Sequence, residues 1–225
     1  MSLTFDGVDD MVARSASVTL GAVVTLCAWI KPTTYGEGRL GAIWQHGGAA
    51  DVARLALRLQ DAQLGATASW GFAGGRATTT GRWIAPDNQI ALGVWQWLAA
   101  SYDGTATANN PTLYYNGAPV TVTRIQAPAG ALLADTQVIY LGNAGSPTRT
   151  FEGAIGEVGA WTRVLSDAEL AAVYTLGVNA VPDYVDYLPW DSGSGQVFGA
   201  GGSAYTITGA LAGENPPIRP AGRRG

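Results

Sequence analysis

Between Arg54 and Gln60 the chain reads RLALRLQ, with Leu55, Leu57 and Leu59 at every second position. Neighbouring side chains on an extended strand point to opposite faces. This spacing therefore predicts a strand whose leucines enter a core while Arg54, Arg58 and Gln60 face water. Similar, less regular runs occupy Val24 to Lys31, Gly41 to His46, Gln63 to Phe72, Val94 to Tyr102, Thr112 to Asn116, Val120 to Arg124, Gln137 to Leu141 and Ala154 to Trp161. Turn residues punctuate nearly all of them, and the chain holds 31 Gly, eight Trp and nine Tyr with only 13% charged residues. About a dozen short strands with turns every eight to twelve residues predict an all-β chain folded as a sandwich or jelly roll.

Two local signals fix details of that plan. Asn116-Gly117 separates TLYY from APVTVTR, and Asn-Gly readily adopts the positive φ angles of a tight hairpin, so those strands should pair antiparallel. One helix is predicted near 167–176, where Ser166 can cap the first turn and Glu169 can bond back as a capping box. Leu170, Val173 and Tyr174 give it an apolar stripe, and Gly177 supplies a stop. At 225 residues one sandwich domain is the expectation, covering 1–178, with 179–213 as an extension packed on the same domain. The tail 214–225 is rich in Pro, Gly and Arg and is expected at the surface or disordered.

Cys27 is the only cysteine, so neither an intramolecular disulfide nor a thiolate metal cluster can form. His46 is the only histidine, which removes most general-base triads and zinc sites and leaves it as a strand-end residue. The net charge is -4 and the 13 basic residues are scattered, so no footprint for nucleic acid exists. The longest apolar stretches fall far short of the roughly 18 residues that cross a bilayer, which argues against membrane insertion. Strand-like sequence begins at Leu3, leaving no room in this chain for a secretory signal.

Six motifs then occur in order: LTFDGVDDMV at 3–12, VTLCAWIKP at 24–32, WQWLAASYDG at 95–104, LYYNG at 113–117, YLGNAG at 140–145 and FEGAIGEVGAWTRVLSDAEL at 151–170. Together they resemble the laminin-G-like jelly roll of the concanavalin A-like lectin/glucanase superfamily. The resemblance implies a sandwich of two antiparallel sheets. It also implies a structural or ligand-linked Ca2+ site in many relatives, mapping here onto Asp6, Asp9, Asp10 and Glu157. The bare residues leave two readings open for FDGVDD: oxygen ligands for a hard cation, or turn formers bonding their own backbone.

Some relatives are glycanases, which need two carboxylates on one face about 5 Å apart for retention and wider for inversion. Glu152 and Glu157 are five apart and Asp183 and Asp186 three apart, so in extended chain each pair points to opposite faces, which argues against an enzyme. Aromatic rings stack on sugars, and Trp83, Trp70 and Trp95 are the candidate ligand contacts, with Trp83 expected in the loop GRWIAPDNQ. The leading expectation is a non-catalytic carbohydrate-binding or adhesive module displayed on an extracellular surface. The alternative is a bacteriophage virion decoration protein with capsid or tail proteins as partners, which is compatible with glycan binding. Self-association into a homo-oligomer is an open option under either.

Overall fold

The structure is a computed structural model and describes residues 2–48, 53–61, 67–145, 148–188, 197–198, 204–214 and 216–217. The chain runs through β1 (Ser2–Asp6), β2 (Met11–Arg14), β3 (Val18–Thr19), β4 (Val23–Pro32), β5 (Ala42–His46), β6 (Leu55–Gln60), β7 (Ser69–Gly74), β8 (Gly81–Ile84) and β9 (Gln96–Asp103). It continues with β10 (Thr112–Tyr115), β11 (Ala118–Val120), β12 (Thr123–Gln126), β13 (Thr136–Gln137), β14 (Ile139–Leu141), β15 (Glu152–Trp161) and α1 (Asp167–Leu176). The last strands are β16 (Tyr184–Leu188), β17 (Val197–Phe198), β18 (Ala204–Thr208) and β19 (Leu211–Gly213). Residues 63–66 of the strand expected from Gln63, 189–196 and 199–203 of the extension, and most of the tail lie outside the described residues.

One antiparallel sheet has the order β11-β10-β9-β4-β15-β1-β19, with β16 pairing the far half of β15. The other has the order β12-β8-β7-β6-β5-β14-β2-β18-β17, and β3 with β13 forms a short separate pair. The two large sheets make the jelly-roll sandwich that the strand periodicity predicts. Leu26, Ile30, Leu98, Tyr102 and Ile155 from the first sheet meet Leu55, Leu57, Leu59, Trp44, Trp70, Phe72 and Trp83 from the second in one buried cluster. Burial of a side chain this size stabilises by roughly 1.5–3 kcal/mol.

The Asn116-Gly117 hairpin forms as its residues dictate. Their φ angles are 49° and 82°, and Tyr115 faces Ala118 across the turn. The capping box forms too, with Glu169 N–H donating to Ser166 Oγ and Ser166 N–H donating to Glu169 Oε2. α1 turns Leu170 and Val173 onto the outer face of the first sheet, over Cys27, Trp29, Trp97 and Trp161. Tyr174 stacks on Trp29 with centroids 5.5 Å apart.

Two expectations are corrected. Arg54, Arg58 and Gln60 do not face water; all are buried, and Arg58 and Gln60 share a small cavity with Leu40 and Arg82 over the outer side of β6. Arg58 donates to Gln45 Oε1 at 3.1 Å, and, away from that cavity, Arg54 donates to the Gly21 carbonyl at 2.9 Å. Second, the run from Val120 to Arg124 is split between sheets: β11 closes the first and β12 the second. Of the tail, 214, 216 and 217 are described. Glu214 pairs with Lys31 at 2.7 Å, and Pro216 is buried against Gly156, where an added Cβ would sit 2.8 Å from its Cγ.

β16 carries an ionisable group into the sandwich. Asp186 is buried, accepts a hydrogen bond from Tyr205 of β18 and lies 3.5 Å from Arg14 of β2. Burial raises its pKa to about 6 against 3.8 unfolded, opposed by the Tyr205 hydroxyl and the Arg14 charge. A carboxyl raised in the folded state contributes stability that is complete below 3.8 and lost as pH rises through about 6. The expected swing is about 3 kcal/mol. Thermal melting should therefore lose stability from this group between pH 4 and pH 7, and Asp186→Asn should flatten that slope. Ser166→Ala should cost about 1 kcal/mol through the lost cap, read as a lower denaturation midpoint with the fold intact.

Candidate functional site

β1 ends at Asp6, and residues 7–10 turn the chain into β2 at one rim of the sandwich. Gly7 makes the reversal with φ 79°. Asp6 Oδ1 accepts the Val8 N–H at 2.8 Å, and Asp10 Oδ2 accepts the Asp6 N–H at 2.7 Å. Carboxylate oxygens of Asp6, Asp9 and Asp10 lie within 4.8 Å of one another, with Asp6 and Asp9 exposed and Asp10 buried. Burial raises the Asp10 pKa, the Asp6 N–H opposes it, and the Asp6 and Asp9 charges add to the rise. Three carboxylates concentrated this way fit the all-oxygen shell of a hard cation such as Ca2+. The same residues also bond their own backbone, which are the contacts that the turn-forming reading of FDGVDD expects.

Glu157 does not join this group. It sits beyond the middle of β15, beside Gly177, where the Val178 N–H and the Tyr187 hydroxyl donate to its carboxylate and burial raises its pKa. Glu152 is the acidic residue that the fold brings to the turn instead. It is in register with Asp6 across the β1–β15 pair, and its Oε2 accepts the Thr34 hydroxyl at 2.9 Å. Only strand pairing reveals this; its sequence distance from Asp6 gives no sign of it.

The tryptophans separate clearly. Trp83 lies on β8 and not in a loop, and its indole N–H donates to Asn110 Oδ1 at 2.8 Å. Trp83 and Trp70 are both 0% exposed, so neither offers a ring face to a ligand. The bulk of the indole, which suggested sugar stacking, is spent on filling the sandwich. Trp95 is half-buried against the cluster under α1, beside exposed Val94, and keeps part of its surface.

The carboxylate pairs also look different in three dimensions. A bulge in β15 between Ile155 and Val158 adds a residue. Glu152 pairs with outward-facing Asp6, and Glu157 meets Gly177 and Tyr187 over the outer side, so both point outward. The expectation of opposite faces fails because a bulge reverses the parity of a strand. At about 3.3 Å per residue the two still stand roughly 15 Å apart, beyond the separations that either glycosidase mechanism uses. Asp183 is exposed at φ 65°, whereas Asp186 is enclosed between the sheets. Among the described residues no helix is long and apolar enough to cross a membrane.

Comparison with known proteins agrees with the sandwich fold. A candidate carbohydrate binding protein from Bacteroides ovatus superposes with TM-score 0.68 at 21% identity, over 97% of this chain and 61% of that one. A heptameric SAP-like pentraxin from Limulus polyphemus gives 0.60 at 14% identity, over 77% of this chain and 81% of that one. The CBM40 domain of the Ruminococcus gnavus IT-sialidase, bound to α2,3-sialyllactose, gives 0.52 at 18% identity, over 68% and 83%. No curated protein sequence matches the chain. The sequence profile of the laminin-G-like family Laminin_G_3, within the concanavalin A-like lectin/glucanases superfamily, matches residues 6–171. The chain belongs to this family.

Proposed function

We propose that this protein is a non-catalytic carbohydrate-binding module, presented on a surface, whose contact region includes the rim built by Asp6, Asp9 and Asp10. The observation that carries the reading is the convergence of three carboxylates within 4.8 Å on an exposed turn of a lectin-like sandwich. Val8, 71% exposed, sits at the tip of that turn. The sugar-binding descriptions of the Bacteroides and Ruminococcus proteins support it by shared architecture.

Asp6, Asp9 and Asp10 would hold Ca2+ there. A bound calcium ion supplies coordination positions that neutral sugar hydroxyls can fill. Asp9 is exposed and Asp6 presents a second oxygen beyond the one bonded to Val8, so ligand atoms are available without unmaking the turn. Trp95 offers an apolar ring surface for the face of a sugar. Catalysis is not part of the proposal, because Glu157 is engaged by Val178 and Tyr187 and Asp186 by Tyr205.

Two measurements test this. Calcium should raise the melting temperature and chelator should reverse the rise, while Asp9→Asn should weaken the response about tenfold in calcium concentration; a melting curve indifferent to both removes the metal. Calcium affinity should also fall on acidification, as protons compete for the carboxylates. A glycan array probed with calcium present should give selective binding that Asp9→Asn reduces. Binding to no glycan would overturn the carbohydrate reading.

A further inference from the structure

On the outer side of the first sheet, strand register sets Thr4, Ala154 and Lys31 side by side: Thr4 pairs with Ala154 across β1–β15, and Ala154 with Lys31 across β15–β4. Ala154 is the small member of this row, so the surface dips between its neighbours. The dip is a cavity of about 150 Å3, lined by Thr4, Lys31, Thr33, Gly153, Ala154 and Glu214. That volume is far more than a single ordered water needs. Thr4, Thr33 and Glu214 are exposed and Lys31 is half-buried, so the polar groups of the recess are open to solvent, while buried Ala154 forms its floor. On the far side of Thr4 the row ends in Leu211, which is 72% exposed.

The wall of this recess is fixed before any ligand arrives. Lys31 Nζ donates to Glu214 Oε2 at 2.7 Å, and this hydrogen bond, with the Lys31 charge, holds the Glu214 carboxyl below the usual carboxylate range. Glu214 is anchored on both sides, since the Ser2 hydroxyl donates to its carbonyl and Pro216 packs against Gly156. Lys31 and the two threonine hydroxyls can donate to a ligand, while Glu214 and the same hydroxyls can accept. Ala154, the threonine methyls and Leu211 add apolar surface. Among the described residues that line the recess the charges of Lys31 and Glu214 cancel, which favours an uncharged ligand. Hydroxyls that both donate and accept, an apolar C–H face and no charge are together the chemistry of a hexose ring.

We propose that this recess is a second sugar subsite, taking an uncharged hexose unit of the same glycan whose neighbouring unit meets the Asp6–Asp10 rim. The inference rests on the carbohydrate-binding reading of that rim. Thr4 and Asp6 are both exposed and flank buried Phe5, so they share the outward face of β1. Two residues of strand separate them by about 7 Å, which places the recess beside the rim and not across the molecule from it. The ring lies over Ala154 with hydroxyls toward Lys31 Nζ and the Glu214 carboxylate, whose charges strengthen those hydrogen bonds. Because the ion pair is already formed, little side-chain ordering is left for binding to pay.

Amide chemical shifts of the full chain, followed by two-dimensional NMR with chelator present, test it. D-glucose, D-galactose and D-mannose are the probes, with D-glucuronate and D-glucosamine as charged comparisons. At least one neutral hexose should give saturable shifts centred on Thr4, Lys31, Thr33, Ala154 and Glu214, with a Kd on the order of 1 mM. Glu214→Ala should weaken binding about tenfold, the worth of one hydrogen bond to a charged group. Thr33→Trp fills the recess from an exposed position and should abolish the shifts with the melting temperature unchanged. Shifts with no neutral hexose, shifts centred elsewhere, or binding of the charged sugars alone overturns the proposal, as does undiminished binding in Thr33→Trp. Hexose shifts at the recess of a protein whose melting ignores calcium would sink the rim reading alone. Array binding that Asp9→Asn reduces, without shifts at the recess, would sink this inference and leave the rim reading standing.

Discussion

The inner faces of the two sheets meet over a layer of large side chains, and with Cys27 as the chain's only cysteine no disulfide reinforces them. Everything else depends on that layer closing. Trp44, Trp70 and Trp83 fill the second sheet's side, and Phe72, Trp83 and Tyr102 sit with centroids 5.3–6.1 Å apart across the gap. Close packing also constrains the backbone around it. Gly142 has φ 74°, and a Cβ there would lie 2.0 Å from the ring of Phe5, so glycine is required for both reasons. Cores of this density leave few voids, which is why the three tryptophans cannot serve binding as well.

Charged groups are buried at several places, and two of them have contrasting surroundings. Asp186 ties β16 to β2 and β18 through Arg14 and Tyr205, joining the C-terminal strands of one sheet to the other. Arg54 and Arg76 gather at another point with less compensation and a cavity beside them. The first joins β16 to β18 through the Tyr205 hydroxyl. The second leaves Nε and Nη1 of Arg54 without a hydrogen-bond partner among the described residues.

Much of the architecture was legible in the order of residues. The alternation at Leu55, Leu57 and Leu59 predicts β6 and its buried side, and these three do face the core. Asn116-Gly117 and Ser166 with Glu169 act within a few residues of themselves, so local chemistry suffices to place the hairpin and the helix start. The candidate site was legible only in part. Asp6, Asp9 and Asp10 are neighbours in sequence and stay together, whereas Glu157 and Glu152 depend on strand register and on one bulge. Arg54 read as solvated because the period of a strand says which face a side chain takes but not what covers that face.

The sequence by itself determined the fold class, the turns, the helix cap and the absence of any disulfide, since these follow from periodicity, local hydrogen bonding and residue count. Tertiary structure alone decided which aromatics are buried, which carboxylates converge and where an arginine lies uncompensated. Those outcomes depend on contacts between residues far apart in the chain, such as Asp6 with Glu152 and Arg54 with Asp135. Packing sets such contacts collectively, so no single stretch of sequence carries them.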